Sequence, residues 1–150
     1  MSSFKSFEDI EAWQLSRDFC RLIYSFFAKE GFSKDYKLKD QPNGASGSIM
    51  DNIAEGFGRG GNKEFQQFLR FSKGSCAESK SQLYRPFDRS YITQEEFNKA
   101  LQLLELVSSK VQSLINYLNK SDFKGPNYKK AETPNSEPET QNPELGTRNP

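Results

Sequence analysis

The feature that most constrains this chain is the apolar spacing between Thr93 and Leu118. Phe97, Leu101, Leu104, Ser108, Val111, Ile115 and Leu118 follow at alternating steps of four and three, the seam of a packed helix. Thr93 followed by Glu96 supplies a capping-box start. Such a stripe must be buried against other elements, and the rest of the chain offers them. Ser6 with Asp9 marks another helix start, after which Phe7, Ile10, Trp13, Phe19, Leu22, Ile23, Phe26 and Phe27 recur near helical spacing up to Gly31. Asn62 is predicted to cap a third helix through Arg85, with Phe65, Phe68, Leu69, Ser72, Cys76, Ser79 and Leu83 on one side. Pro86 is expected to end or kink it.

The second helix carries the fewest signals. It is placed from Ala45 to about Phe57 on Ala45, Ile49, Ile53 and Ala54, because Asp40-Gln41-Pro42-Asn43-Gly44 reads as a turn and Gly47 lowers helix propensity. No convincing strand accompanies these segments. The expected fold is all-α, an antiparallel up-and-down four-helix bundle over residues 1–120. Residues 121–150 hold five prolines among Asn, Glu, Thr and Ser, a composition that predicts a disordered tail.

Gly56, Gly58 and Gly61 spell G-x-G-x-x-G, the fingerprint of a dinucleotide site when it follows a buried strand. Here the preceding segment has helical spacing. The glycines therefore read as a corner, in which Gly56 and Gly58 supply left-handed conformations that end one helix before the next begins. Asn52 and Glu55 are expected to fix that corner, by hydrogen bonds or by pairing with Arg59, Lys63 or a neighbouring helix. Asp51 and Glu55 could be read as paired carboxylates, but nothing completes a catalytic site around them.

The chain has 150 residues and no histidine, which removes imidazole catalysis and His-ligated metals. No enzymatic activity, cofactor, metal or small-molecule substrate is expected. Cys20 and Cys76 stand far apart with no C-x-x-C motif, so both are expected as free thiols. No run approaches the roughly 20 apolar residues of a membrane span, and the expected location is the cytoplasm.

The formal charge is +1, so any affinity for nucleic acid must come from local asymmetry. From Arg59 to Arg89 there are seven basic residues against three acidic ones. On a helical wheel Arg59, Lys63 and Arg70 point away from the apolar side of the third helix, with Lys73 and Lys80 on its flank. These five residues form a candidate phosphate-binding stripe, and a solvated helix face is the competing reading. A second line, Phe71, Gly74, Glu78, Gln82 and Arg85, suits either a subunit contact or the edge of the internal core.

The stretches "FEDIEAWQLSRDF", "SIMDNIAEGFGRGGNKEFQQFL" and "SKGSCAESKSQLYR" closely resemble the four-helix-bundle proteins encoded within intervening sequences of 23S rRNA genes. The resemblance covers roughly residues 7–120, and it extends distantly to the accessory variability determinant of diversity-generating retroelements. It implies a left-handed bundle that assembles into a ring, homopentamers being the known form, without enzymatic activity. Binding of RNA or DNA is the leading proposal by analogy. This chain departs from its relatives in two places. Asp40-Gln41-Pro42-Asn43-Gly44-Ala45 stands where they usually have a continuous helix with at least one arginine, and Pro86-Phe87 stands where they tend to have Ala-Leu.

Overall fold

A computed structural model describes residues 4–128. A short 3-10 turn, Phe7–Asp9, leads into four helices: α1 (Glu11–Phe26), α2 (Tyr36–Arg59), α3 (Asn62–Asp88) and α4 (Gln94–Asn119). No strand occurs among the described residues. Helices consecutive in the chain pack side by side, and α1 closes the square against α4. Cross-helix contacts fix the directions. Ser72 on α3 donates to the Ile49 carbonyl of α2 at 2.8 Å, Lys73 on α3 reaches Gln112 of α4, and Lys110 on α4 meets Glu11 of α1. With Arg85 bonded to Gln41 at the far end of α2, neighbouring helices are antiparallel.

Phe19, Ile49, Ile53, Phe65, Leu69, Val107 and Val111 are fully enclosed in the core. Each such side chain contributes on the order of 1.5–3 kcal/mol through its burial. On α3 the buried face is the one its spacing marks. On α4 it differs by one flank: Phe97, Leu104, Val111, Ile115 and Leu118 are buried as expected, but Ala100, Val107 and Leu114 are buried as well, and Leu101 and Ser108 are half-exposed. Alternate steps of three fit the same heptad as well as steps of four, and Val107 is the apolar choice where Ser108 is not.

Three expectations about helix ends are corrected. The segment around Pro42 and Gly44 is no turn, since α2 begins at Tyr36 with Asp35 accepting from the Leu38 amide. Leu38, Pro42, Ala45 and Ile49 are all buried at steps of four and three, so the apolar stripe runs through the proline. Proline inside a helix costs about 3 kcal/mol, and that stripe works against the cost. Pro86, likewise buried, does not end α3, which continues to Asp88. At the start of the chain Ser6 and Asp9 organise the 3-10 turn, and α1 proper begins after Ile10.

The corner between α2 and α3 also differs from its reading. Gly56 and Gly58 are helical, and the left-handed residue is Gly60, with φ +88°. Gly56 serves close approach instead: a Cβ there would lie 2.6 Å from that of Phe68. Nor does Asn62 cap α3. It is the first helical residue, and its amide donates to the carbonyls of Leu118 and Ser121 at 3.0 and 3.1 Å, closing the end of α4. Residues 121–128, assigned to the tail from composition, lie against this corner. Phe123 packs on Phe57 and Phe65, the Gly125 amide donates to the Gly60 carbonyl at 2.8 Å, and Phe4 meets Phe57 from the other terminus. The remainder of the predicted disordered segment lies outside the described residues.

The opposite end of the bundle is held by Asp35. Its carboxylate accepts from Arg89 at 2.7 Å and from the Tyr91 hydroxyl at 3.0 Å, joining the α1–α2 connection to the α3–α4 connection. Burial raises the Asp35 carboxyl, but Tyr91, the Leu38 amide and Arg89 outweigh it and hold the group below its ordinary value. Both cysteines are free; burial pushes the Cys76 thiol up to about 12, which leaves it unreactive.

Two predictions follow from this packing. Gly56→Ala lowers the free energy of unfolding by about 1–2 kcal/mol, because overpacking outweighs the propensity gain. Gly58→Ala, where an added Cβ meets nothing within 4 Å, raises it by about 0.5–1 kcal/mol; urea denaturation of the pair measures both signs. Folding lowers the Asp35 pKa, so its stabilisation is complete above the unfolded value of about 3.9 and lost as pH falls through the folded one. Asp35→Asn should therefore melt earlier than the unaltered chain at neutral pH, with the gap narrowing as the pH is taken below about 4.

Candidate nucleic-acid interface

Helix α3 turns Phe65, Leu69, Cys76 and Leu83 inward, which directs the opposite side of its wheel to solvent. Lys63 and Arg70 stand exposed on that outer face, while Lys73 is half-buried beside α4. The five cations of the proposed stripe are not equivalent. Arg59, the last residue of α2, pairs with Glu55 at 2.9 Å and lies over the Phe68 ring, 5.2 Å from its centroid. Lys80 approaches Glu105 of α4 at 4.0 Å. Lys63, Arg70 and Lys73 make no ion pair among the described residues.

Arg70 is positioned by a ladder of amides. Its guanidinium donates to Gln66 Oε1 at 3.4 Å, Gln66 Nε2 donates to Asn62 Oδ1 at 2.7 Å, and Asn62 ends the ladder on the α4 carbonyls. Lys73 is held in the same way by Gln112, whose own amide donates to Asn116 at 2.9 Å. Neutral partners orient these cations and leave their charge uncompensated. The sequence reading missed the supports Asn62, Gln66 and Gln112; the four-residue spacing of Asn62, Gln66 and Arg70 was the available signal.

The second line runs along one edge of the buried face of α3. Phe71 is half-buried and packs edge-on against Phe68, with ring centroids 5.7 Å apart. Gly74 is exposed, with open space where a Cβ would be. Gln82 is turned inward and donates to Glu78 at 3.3 Å, while burial raises the Glu78 carboxyl above its ordinary value. Arg85 reaches across to Gln41 of α2. At the corner, Glu55 holds Arg59 and Asn52 donates to the Ser48 carbonyl of its own helix at 2.8 Å. Among the described residues no group of three or more His, Cys, Asp or Glu is placed to hold a metal, and no helix is long and apolar enough to cross a membrane.

Residues 8–113, which run from the opening turn through most of α4, match the 23S rRNA-intervening sequence protein. The chain belongs to that family. Among solved structures, it is similar to a protein of unknown function from the S23 ribosomal protein family of Bacteroides thetaiotaomicron. That likeness has a TM-score of 0.63 at 21% identity and covers 69% of this chain and 97% of the other, which supports the common fold. Among curated proteins none matches the chain. Within this intervening-sequence fold, Asn62 joins the two halves of the candidate surface, the α3 face and the α4 end. Asn62→Asp, which keeps the shape but removes the donor, should cost about 1–2 kcal/mol in chemical denaturation.

Proposed function

We propose that this intervening-sequence protein is a non-enzymatic, ring-forming, nucleic-acid-binding accessory protein of the cytoplasm. The outer face of α3 contacts phosphates, with Lys63, Arg70 and Lys73 carrying the charge and Arg59 and Lys80 at its margins. The observation that carries the reading is that these three cations stand without carboxylate partners among the described residues, in a chain whose formal charge is only +1. Unpaired cations on one helix face attract a polyanion by neutralisation and counterion release. Copies arranged in a ring add their fields, which turns a modest stripe into a belt. The family resemblance suggests five copies. The line of Phe71, Gly74, Glu78, Gln82 and Arg85 offers the subunit contact, since Gly74 leaves room for a neighbouring helix beside a half-buried aromatic ring. No cofactor or small-molecule substrate enters this function.

A protein-interaction scaffold is the second reading. The compensation of Arg59 by Glu55 and of Lys80 by Glu105 favours it, because it reduces the free charge of the stripe.

Affinity for RNA or DNA should fall steeply with salt, and reversing Lys63, Arg70 and Lys73 together to Glu should abolish it. Three phosphate contacts per copy correspond to a log–log salt slope of about −2.7 on duplex DNA. Unchanged binding in the triple variant removes the stripe from consideration. Absence of retained nucleic acid at low salt, with a co-purifying protein, favours the scaffold. Light scattering should give a multiple of the 17.2 kDa chain mass, and a strict monomer would end the ring proposal.

A further inference from the structure

The end of the bundle away from the glycine corner carries a second concentration of unusual groups. Tyr24 and Tyr36 are 72% and 71% exposed, well beyond any other large apolar side chain described. Leaving such rings in water forgoes the gain of burying them, and each has a polar tip suited to a wet interface. Tyr24 rests edge-on against Phe27, with centroids 6.1 Å apart, at one wall of a cleft of about 360 Å³. Lys39, Asp40 and Asn43 complete that cleft. The Lys39 ammonium lies 4.8 Å from the centroid of the Tyr36 ring, and beyond Tyr36 a second cleft of about 420 Å³ includes Lys34 and Lys37. The two clefts are thus linked through the Tyr36–Lys39 contact. Lys34, Lys37 and Lys39 make no ion pair among the described residues.

The mount is rigid. Phe32 is buried and stacked on Tyr91, with centroids 5.5 Å apart, and Asp35 locks the connection to Arg89 and Tyr91. Rings held on a fixed platform lose little freedom when a flat ligand covers them.

We infer that this end binds an unpaired stretch of nucleic acid, with one base stacked on Tyr24, the next on Tyr36, and Lys34, Lys37 and Lys39 on the intervening phosphates. The inference rests on the nucleic-acid reading above and gives it a contact selective for single strands. Three features favour this occupant. Exposed tyrosine rings stand beside ammonium groups that have no carboxylate partner among the described residues, Lys39 being aimed by the Ser33 carbonyl at 2.8 Å, and this is the pattern of a single-strand platform. The Asp40 carboxylate accepts hydrogen bonds and the Asn43 amide both donates and accepts, which matches the edge of an unpaired base. A duplex keeps its base faces stacked inside and offers the tyrosines nothing.

Fluorescence anisotropy with the full chain tests the inference, using a labelled RNA dodecamer, its DNA equivalent and the matching duplex. Replacing Tyr24→Ala and Tyr36→Ala together should weaken single-strand binding roughly tenfold or more, leave duplex binding unchanged, and leave the melting temperature near that of the unaltered chain. The paired Tyr→Phe changes should retain single-strand affinity. A 2-aminopurine in the dodecamer should be quenched by the unaltered chain and not by the Ala pair. Equal single-strand affinity in the Ala pair, while the Lys63, Arg70 and Lys73 reversal still abolishes binding, overturns this inference and leaves the stripe standing. Failure of the unaltered chain to bind any of these probes overturns both. Competition by adenosine monophosphate as strong as that by the dodecamer overturns the strand in favour of a free nucleotide.

Discussion

A side chain of any size on Gly56 would collide with Phe68, so hydrogen alone at that position lets α2 and α3 close together beside their connection. The Ser72 hydroxyl, donating to the Ile49 carbonyl, fixes how one helix is shifted along the other. Once that pair is set, Phe57 and Phe65 meet at the joined end and Arg85 reaches Gln41 at the other. The outward face of α3 then follows without further choice, because a helix that turns Phe65, Leu69 and Leu83 to the core must present Lys63 and Arg70 to water.

The same contact explains the bundle's tolerance of helix-breaking residues. Pro42 and Pro86 lie near the far ends of the antiparallel pair, each buried, where the helices are already aligned by the glycine contact and the serine bond. A lost backbone hydrogen bond costs less when apolar contacts keep the segment in place. Asp35 adds to this by capping α2 and gathering Arg89 and Tyr91, so the end with two prolines nearby is the end with a charged lock.

Much of this was legible in the chain itself. The number of helices, the apolar side of α3 and part of the seam of α4 rest on periodicity, although on α4 Ala100, Val107 and Leu114 take burial that the spacing gave to Leu101 and Ser108. Pro42 and Gly44 misled because local turn chemistry is read over a few residues, whereas the stripe Leu38, Pro42, Ala45 and Ile49 is satisfied only by a helix across the way. The left-handed residue is Gly60, just past the end of α2, while Gly56 lies inside the helix for its contact with Phe68 and Gly58 lies inside it with open space around it. For the candidate interface, a wheel could place the cations but could not see that Glu105 lies beside Lys80, or that Gln66 and Gln112 steer Arg70 and Lys73. The helical spacing left Tyr24 off the apolar stripe that holds Phe27, but it could not show that Tyr36 lies at the same end of the bundle and shares its exposure.

The strap formed by Phe123 and Gly125 holds residues 121–128 at one end of the body. Tyr128 therefore lies beside the glycine bend, at the same end as the α2–α3 connection. The helix α2, with 24 residues, spans about 36 Å at 1.5 Å each. A dye placed at Tyr128 would therefore sit roughly that far from Tyr24 and Tyr36. Attachment to a surface at Tyr128 would leave the tyrosine-bearing pole facing solution.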